Sequence, residues 1–205
     1  MDPQPAAHRV VLASSNRGKL AEIRALLEPL GVEVCAQSEF DVPEAIEDGS
    51  SFVDNALIKA RHAAALTGLP AIADDSGLAV DALGGAPGVR SARYAGEHAS
   101  DADNISKLLA AMRGLPDAQR GAQFHCAAVF VASADDAAPL IEEGIWRGSI
   151  LDARRGQGGF GYDPVFYDAA TRLAAAEMSA NQKNALSHRG KAFRALCAEL
   201  AERWA

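Results

Sequence analysis

Val10-Val11-Leu12-Ala13 is a short apolar run that gives way to the polar stretch Ser14-Ser15-Asn16-Arg17-Gly18-Lys19. Beyond it Leu20, Ile23, Leu27 and Leu30 recur at helical spacing, so the pattern predicts strand, polar loop, helix. Gly31 follows the last periodic leucine, where a helix C-cap is expected. Residues 36 to 50 are polar and acidic and are interrupted by Pro43 and Gly49. Ser51 with Asp54 then forms a capping-box pattern, which predicts a helix to about Leu66. Ala71-Ile72-Ala73 reads as a second short strand ending in Asp74-Asp75-Ser76-Gly77, with Leu78-Ala79-Val80 as further extended chain.

The stretch from Gly84 to Gly96 fits neither period and is expected to be an irregular loop, followed by a helix from about Asp101 to Met112. Phe124 to Ala132 and Ile141 to Ile150 are rich in β-branched or aromatic residues around a polar turn, as in paired strands. A last helix from about Ser187 to Trp204 carries the stripe Phe193, Leu196, Leu200, Trp204. Strands and helices mix without strict alternation, which predicts an α/β fold with a mixed β-sheet flanked by helices.

Composition adds limits. The 205 residues, 49% of them hydrophobic, suit a single folded unit over residues 9 to 205. Met1 to His8 reads as a short disordered leader without the apolar core of a signal peptide. No run approaches the roughly 18 apolar residues of a membrane span. Three scattered cysteines without a CxxC pair suggest reduced thiols and a cytoplasmic protein. A net charge of −7 argues against a nucleic-acid binder, so a phosphate-bearing ligand must meet local cations or arrive with a metal.

Three segments carry candidate chemistry. In Ser14 to Lys19 a strand feeds a helix whose first N–H groups can receive an anion; Gly18 permits close approach and Lys19 brings a point charge. The segment lacks P-loop spacing, and a plain polar helix cap explains it equally well. Asp74 and Asp75 at the end of an apolar strand would repel each other in a poorly solvated place, and a hard divalent cation relieves that. Alternation along a strand leaves one of the two facing a site, with Glu44 or Glu47 available as a second ligand; a plain Asp-Ser-Gly turn is the competing reading. In Gly158 to Pro164, glycines beside Phe160 and Tyr162 allow a planar base to stack with backbone groups at its edge, although Asp163 also suits a turn before Pro164. His188 and Arg189 open the last helix, where an arginine fork can read a carbonyl or a phosphate.

Taken in order, SSNRGK, SSFVDNALIKAR, PAIADDSGLAVDALGGAPGVRSARYAG, GGFGYDPVF and SHRGKA resemble the noncanonical purine nucleoside triphosphate pyrophosphatases, the inosine triphosphatase family, over about Val10 to Leu200. The resemblance implies an elongated sheet, two lobes with a cleft between them, a homodimer, and Mg²⁺-dependent hydrolysis of ITP, dITP or XTP to the monophosphate and pyrophosphate. Carried over by motif, Ser14, Ser15, Asn16, Arg17, Gly18 and Lys19 would hold phosphates. Asp75 would be general base and metal ligand, with Ser76 on the substrate. Phe160, Gly161, Tyr162, Asp163, Lys183, His188 and Arg189 would surround base and phosphates. Glu47 is favoured over Glu44 as the second metal ligand. Ser14-Ser15 stands where threonine-glycine is common in the family, and phosphate binding then requires a negative φ at Ser15. A pyrophosphatase for modified pyrimidine triphosphates and a nucleotide binder without turnover are the alternatives; the FGYD and SHR segments argue against the first and the Asp75, Glu47, Lys19 set against the second.

Overall fold

A computed structural model describes residues 8 to 204, so all of the expected leader except His8 lies outside the described residues. His8 itself belongs to the fold: its ring stacks on Trp204 at 4.4 Å and its carbonyl accepts from the Glu33 N–H. In chain order the elements are β1 (Arg9–Leu12), α1 (Arg17–Leu27), β2 (Glu33–Ala36), α2 (Phe52–Thr67), β3 (Ala71–Val80) and α3 (Asp101–Ala111). They continue as β4 (Gly121–Val131), β5 (Leu140–Ile150), β6 (Phe166–Asp168), β7 (Leu173–Ala174), α4 (Ala180–Leu186) and α5 (His188–Trp204). The strands form one sheet in the order β2-β1-β3-β4-β5-β6-β7, parallel on the β1 side and antiparallel from β3 onward, which is the mixed sheet expected.

Local chemistry fixes the helix ends. Ser51 and Asp54 exchange capping hydrogen bonds of 3.0 and 3.1 Å at the start of α2, and Gly68 ends it in the left-handed conformation. The helix after Lys19 stops earlier than its leucine pattern suggests: Pro29 converts Glu28–Leu30 into a 3₁₀ turn before Gly31, at φ 62°. The loop from Gly84 is less irregular than expected, since Gly88–Arg93 winds into 3₁₀ turns packed on β3. The expected last helix is α5, and a short helix the pattern did not predict, α4, precedes it with its own Ser179–Gln182 cap.

Alternation in β3 distributes the core. Ile72 packs with Ile23 and Leu27 of α1 and with Phe193, Leu196 and Leu200 of α5. On the opposite face Ala71 and Ala73 meet Ala56, Ala60, Ala63 and Ala64, a stripe of small side chains that seats α2 close to the sheet. Farther along, Leu78 and Val80 join Phe124, Trp146 and Phe166 beneath Ile105 and Leu108 of α3 and Met112 at its C-terminal end. The helices therefore cover both faces, and α1 and α3 stand over different halves of the same long strand.

The decisive feature is where β1 stops. Its last pairing is Leu12 with Ile72, closed by the Ala13 N–H on the Ile72 carbonyl. Beyond that point this edge of β3 pairs with no strand among the described residues; farther along Leu78 donates to Ser91 Oγ and Val80 to the Ala86 carbonyl. The intervening peptide groups of the same parity, those of Asp74 and Ser76, border an interruption in the sheet. The Asp-Asp-Ser-Gly segment is thus not a strand end or a turn, as the sequence suggested; it is the middle of a ten-residue strand paired throughout with β4.

Candidate active site

The interruption opens into a cleft of about 310 Å³, within the size of small-molecule sites. Ser14, Ser15, Asn16 and Lys19 line one wall, Glu44, Glu47, Lys59 and Asp75 a second, and Phe160 to Asp163 with Lys183, His188 and Arg189 a third. Five segments distant in sequence meet there around the middle of β3.

The phosphate-loop candidates are only partly on the cleft. Asn16 caps α1 by accepting the Lys19 N–H at 3.0 Å, which aims the helix N-terminus inward. Arg17 is exposed and Gly18 is not at the cleft surface; a Cβ on residue 18 would lie 2.5 Å from the Phe160 ring. Gly18 therefore serves the packing of that ring. Ser15 does not adopt a positive φ, which among described non-glycine residues occurs at Asp41 and Arg172, so the condition set by its departure from glycine is met.

Asp74 and Asp75 leave β3 on opposite faces, as alternation requires. Asp74 is buried with Lys19 Nζ at 3.2 Å and Arg189 Nε and Nη2 each at 3.2 Å. Burial opposes its ionisation, but Lys19 and Arg189 hold the carboxyl far below the usual carboxylate range. Its Oδ1 has no hydrogen-bond partner among the described residues. Asp75 faces α2, where Lys59 Nζ stands at 3.0 Å and Asn55 Nδ2 at 3.3 Å. The same Lys59 ammonium lies 3.3 Å from Glu47, which brings Glu47 and Asp75 to one point, whereas Glu44 is taken by Ser15 Oγ.

The third wall is an ion-paired lattice. Glu22 of α1 binds both Lys183 and Arg189, and Lys183 also pairs with Asp163. Burial works against Glu22 as an anion, yet Arg189 and Lys183 carry its pKa below the ordinary value. The Phe160 ring lies 4.6 Å from Lys183 Nζ and 5.5 Å from the Arg189 guanidinium, a stacking surface already flanked by cations. Asp163 does cap the turn, accepting the Phe160 N–H at 2.9 Å, while its pairing with Lys183 ties that turn to α4. Tyr162 is not the exposed aromatic the sequence suggested: it is 4% accessible and donates its hydroxyl to the Ser91 carbonyl. His188 is likewise no solvated first-turn residue. It is buried against Phe124 at 4.7 Å, and burial followed by the charges of Arg189 and Lys183 keeps its pKa well below 6.5.

Sequence reasoning missed Glu22, Asn55 and Lys59 and gave Asp74 no separate part. Lys19 and Glu22 stand three apart, and Asn55 and Lys59 four apart, so each pair shares one helix face, but charged residues at such spacing are ordinary on solvated helices.

Five lining cations, namely Lys19, Lys59, Arg93, Lys183 and Arg189, face five lining carboxylates, with Glu22 and Asp74 behind them. A polyanion entering this cleft finds little surplus positive charge. The hard oxygens of Glu47 and Asp75, already held around one ammonium, suit a divalent cation such as Mg²⁺, which binds through one or two carboxylates and takes its remaining ligands from water and phosphate.

The chain is 56% identical to the dITP/XTP pyrophosphatase of Vibrio cholerae, over 95% of its own length and 97% of the relative. It is 58% identical to the dITP/XTP pyrophosphatase of Methylococcus capsulatus, over 94% and 96%. Among solved structures it superposes on a HAM1 protein from Coxiella burnetii with a TM-score of 0.88 at 51% identity, covering 95% of this chain and 99% of that one. The Staphylococcus aureus Ham1 protein gives 0.83 at 38% identity, covering 95% and 99%. With the Ham1 family model matching residues 10–199, the interrupted sheet and its charged cleft take their place in a known lineage: the chain belongs to the Ham1 family.

Proposed function

We propose that this protein hydrolyses noncanonical purine nucleoside triphosphates, ITP, dITP and XTP, to the monophosphate and pyrophosphate. The observation that carries this reading is the convergence of Lys19, Lys59, Lys183 and Arg189 on the interrupted edge of β3, beside the Glu47 and Asp75 pair. The relatives named dITP/XTP pyrophosphatase support the substrate class.

In this reading the N-terminus of α1 and Lys19 receive the phosphates, with Ser14, Ser15, Asn16 and Ser76 as hydroxyl and amide partners; Arg17 and Gly18 act through helix geometry and packing. Glu47 and Asp75 hold Mg²⁺, which when bound supplies the positive charge that the cleft's own paired cations lack. Asp75 accepts a proton from the attacking water. A P–O bond forms at the α-phosphorus as the bond to the bridging oxygen breaks, and pyrophosphate leaves. Lys59 and Lys183 balance charge as it moves onto the leaving group.

The base lies against Phe160 within the turn through Gly161, Tyr162 and Asp163. Hypoxanthine and xanthine carry a carbonyl at position 6 where adenine carries an amine, so donors are wanted there. Neutral His188, Arg189 and nearby backbone N–H groups are the candidates at that end of the cleft.

The protein acts in the cytoplasm, a reading supported by its three free cysteines, and works as a homodimer. The exposed row Ile141, Glu143, Ile145, Arg147 on β5 supports pairing, because an antiparallel copy related by a two-fold axis at Ile145 would set each Glu143 opposite the second copy's Arg147.

The test is pyrophosphate release from ITP, XTP, ATP and GTP with and without Mg²⁺. Fast metal-dependent turnover of the first two, lost in Asp75→Asn, is the expected result. Equal rates on all four would overturn the purine selectivity, and no turnover would reduce the protein to a binder.

A further inference from the structure

Asn55 is fully buried, yet it is neither a good helix-interior residue nor part of its own helix cap. Its side chain faces two ways. The carbonyl oxygen accepts the Gly49 N–H at 2.9 Å, and the amide NH₂ donates to Asp75 Oδ2 at 3.3 Å. One end therefore holds the acidic loop two residues beyond Glu47, and the other holds the Asp75 carboxylate. Gly49 is matched to this contact: a Cβ there would stand 2.6 Å from Asn55 Oδ1.

No regular element spans residues 41 to 50, which are otherwise tied by single polar contacts: the Val42 N–H on the Gln37 carbonyl, His62 on the Pro43 carbonyl at 3.0 Å, Ser15 on Glu44, Lys59 on Glu47 at 3.3 Å, Arg93 on the Glu47 carbonyl at 3.3 Å, and Ser50 on Asp54 at 3.0 Å. Among the described residues Asn55 is the uncharged anchor of the loop that also touches Asp75. Lys59, one turn farther along α2, meets both carboxylates but as a cation it binds them whatever their spacing.

We infer that Asn55 is a positioning residue that sets the separation of Glu47 and Asp75, so that the pair is spaced for a divalent cation before one arrives. The chemistry selects asparagine for the task. Only a side-chain amide offers an acceptor and a donor on opposite sides at this reach; aspartate could not donate to Asp75, and an aliphatic residue would strand both partners. Groups that orient metal ligands without touching the metal commonly change its affinity about 10- to 100-fold when removed.

This inference rests on the reading of Glu47 and Asp75 as the metal pair, and the experiment separates the two. Mn²⁺ alone is titrated into the full chain without nucleotide, with the spectrum of unbound Mn²⁺ recorded by electron paramagnetic resonance. Wild type, Asn55→Ala, Gly49→Ala and the packing control Ala63→Gly are compared, each with its melting temperature.

Asn55→Ala is expected to weaken Mn²⁺ binding about tenfold or more, and to raise the Mg²⁺ concentration for half-maximal turnover by a similar factor with kcat at saturating Mg²⁺ changed far less. Gly49→Ala, which disturbs the same contact from the loop side, should weaken it in the same direction, while Ala63→Gly lowers only the melting temperature. Wild-type affinity in folded Asn55→Ala overturns the inference; should that variant not fold, wild-type affinity in Gly49→Ala does so. A wild type that binds no Mn²⁺ brings down the metal pair itself.

Discussion

Asp74 and Asp75 are consecutive residues of β3, but they leave the sheet on opposite faces and meet different surroundings. Asp74 points toward α1 and α5 and is enclosed, its charge answered by Lys19 and Arg189 and its Oδ1 left without a partner among the described residues. Asp75 points toward α2, keeps a face on the cleft, and shares Lys59 with Glu47. The difference teaches that one carboxylate builds the site while the other is placed to work in it. A buried anion among cations can organise them, but it lies too deep to take a proton from a water at phosphorus.

The largest effect that would sharpen this contrast is kinetic. Asp75→Asn should lower kcat by about 10²- to 10⁴-fold, the range for losing a general base, with a melting temperature near that of wild type. Steady-state pyrophosphate release beside a thermal melt checks both halves. Asp74→Ala should show the converse weighting. Removing it takes the paired carboxylate from Lys19 and leaves buried Arg189 with Glu22 as its one anion among the described residues, so stability should fall by about 3 to 5 kcal/mol, measured by urea unfolding. If the two variants proved alike in both assays, the division of labour would be wrong.

A smaller effect concerns pH. His188 has its pKa lowered by burial first and by Arg189 and Lys183 next. The unfolded histidine takes up a proton below about 6.5 while the folded one does not, so stability should fall on acidification from that point, at up to about 1.4 kcal/mol per pH unit. The depressed carboxyls of Asp74 and Glu22 act lower down: their contribution is present above the unfolded values near 4 and is lost as pH falls below them. Melting curves for His188→Gln should therefore lose the upper phase and keep the lower one. The smallest effect is expected from Ser76→Ala. Ser76 Oγ accepts from Arg189 at 2.8 Å and donates to Asp74 at 3.2 Å, so about 1 kcal/mol of stability and a severalfold rise in KM should result.

Much of this was legible in the amino-acid order wherever a local rule governs. The Ser51 cap, the two long strands after Gly121 and the stripe on α5 each follow from periodicity or capping alone. The opposite orientation of Asp74 and Asp75 was readable from alternation. What could not be read was the partner at a distance. Glu22 and Lys59 sit on amphipathic helices, where a charged residue usually means solvent, and only the docking of α1 against α4 and α5 and of α2 against β3 turns them inward. The four-residue β2 and seven-residue α4 are too short for periodicity to declare, and Tyr162 looked exposed because its glycine neighbours say nothing of the α3 layer that covers it.

The contact of Gly18 with the Phe160 ring carries a consequence for anyone wishing to redesign this enzyme. The two residues belong to the walls that would hold phosphate and base, and they touch with no room for a methyl group between them. Selectivity for the base and grip on the phosphates are therefore not independent modules. A library that varies positions 160 to 163 while leaving position 18 fixed samples only rings shaped to that glycine, and new base preferences will be reached sooner by varying both walls together.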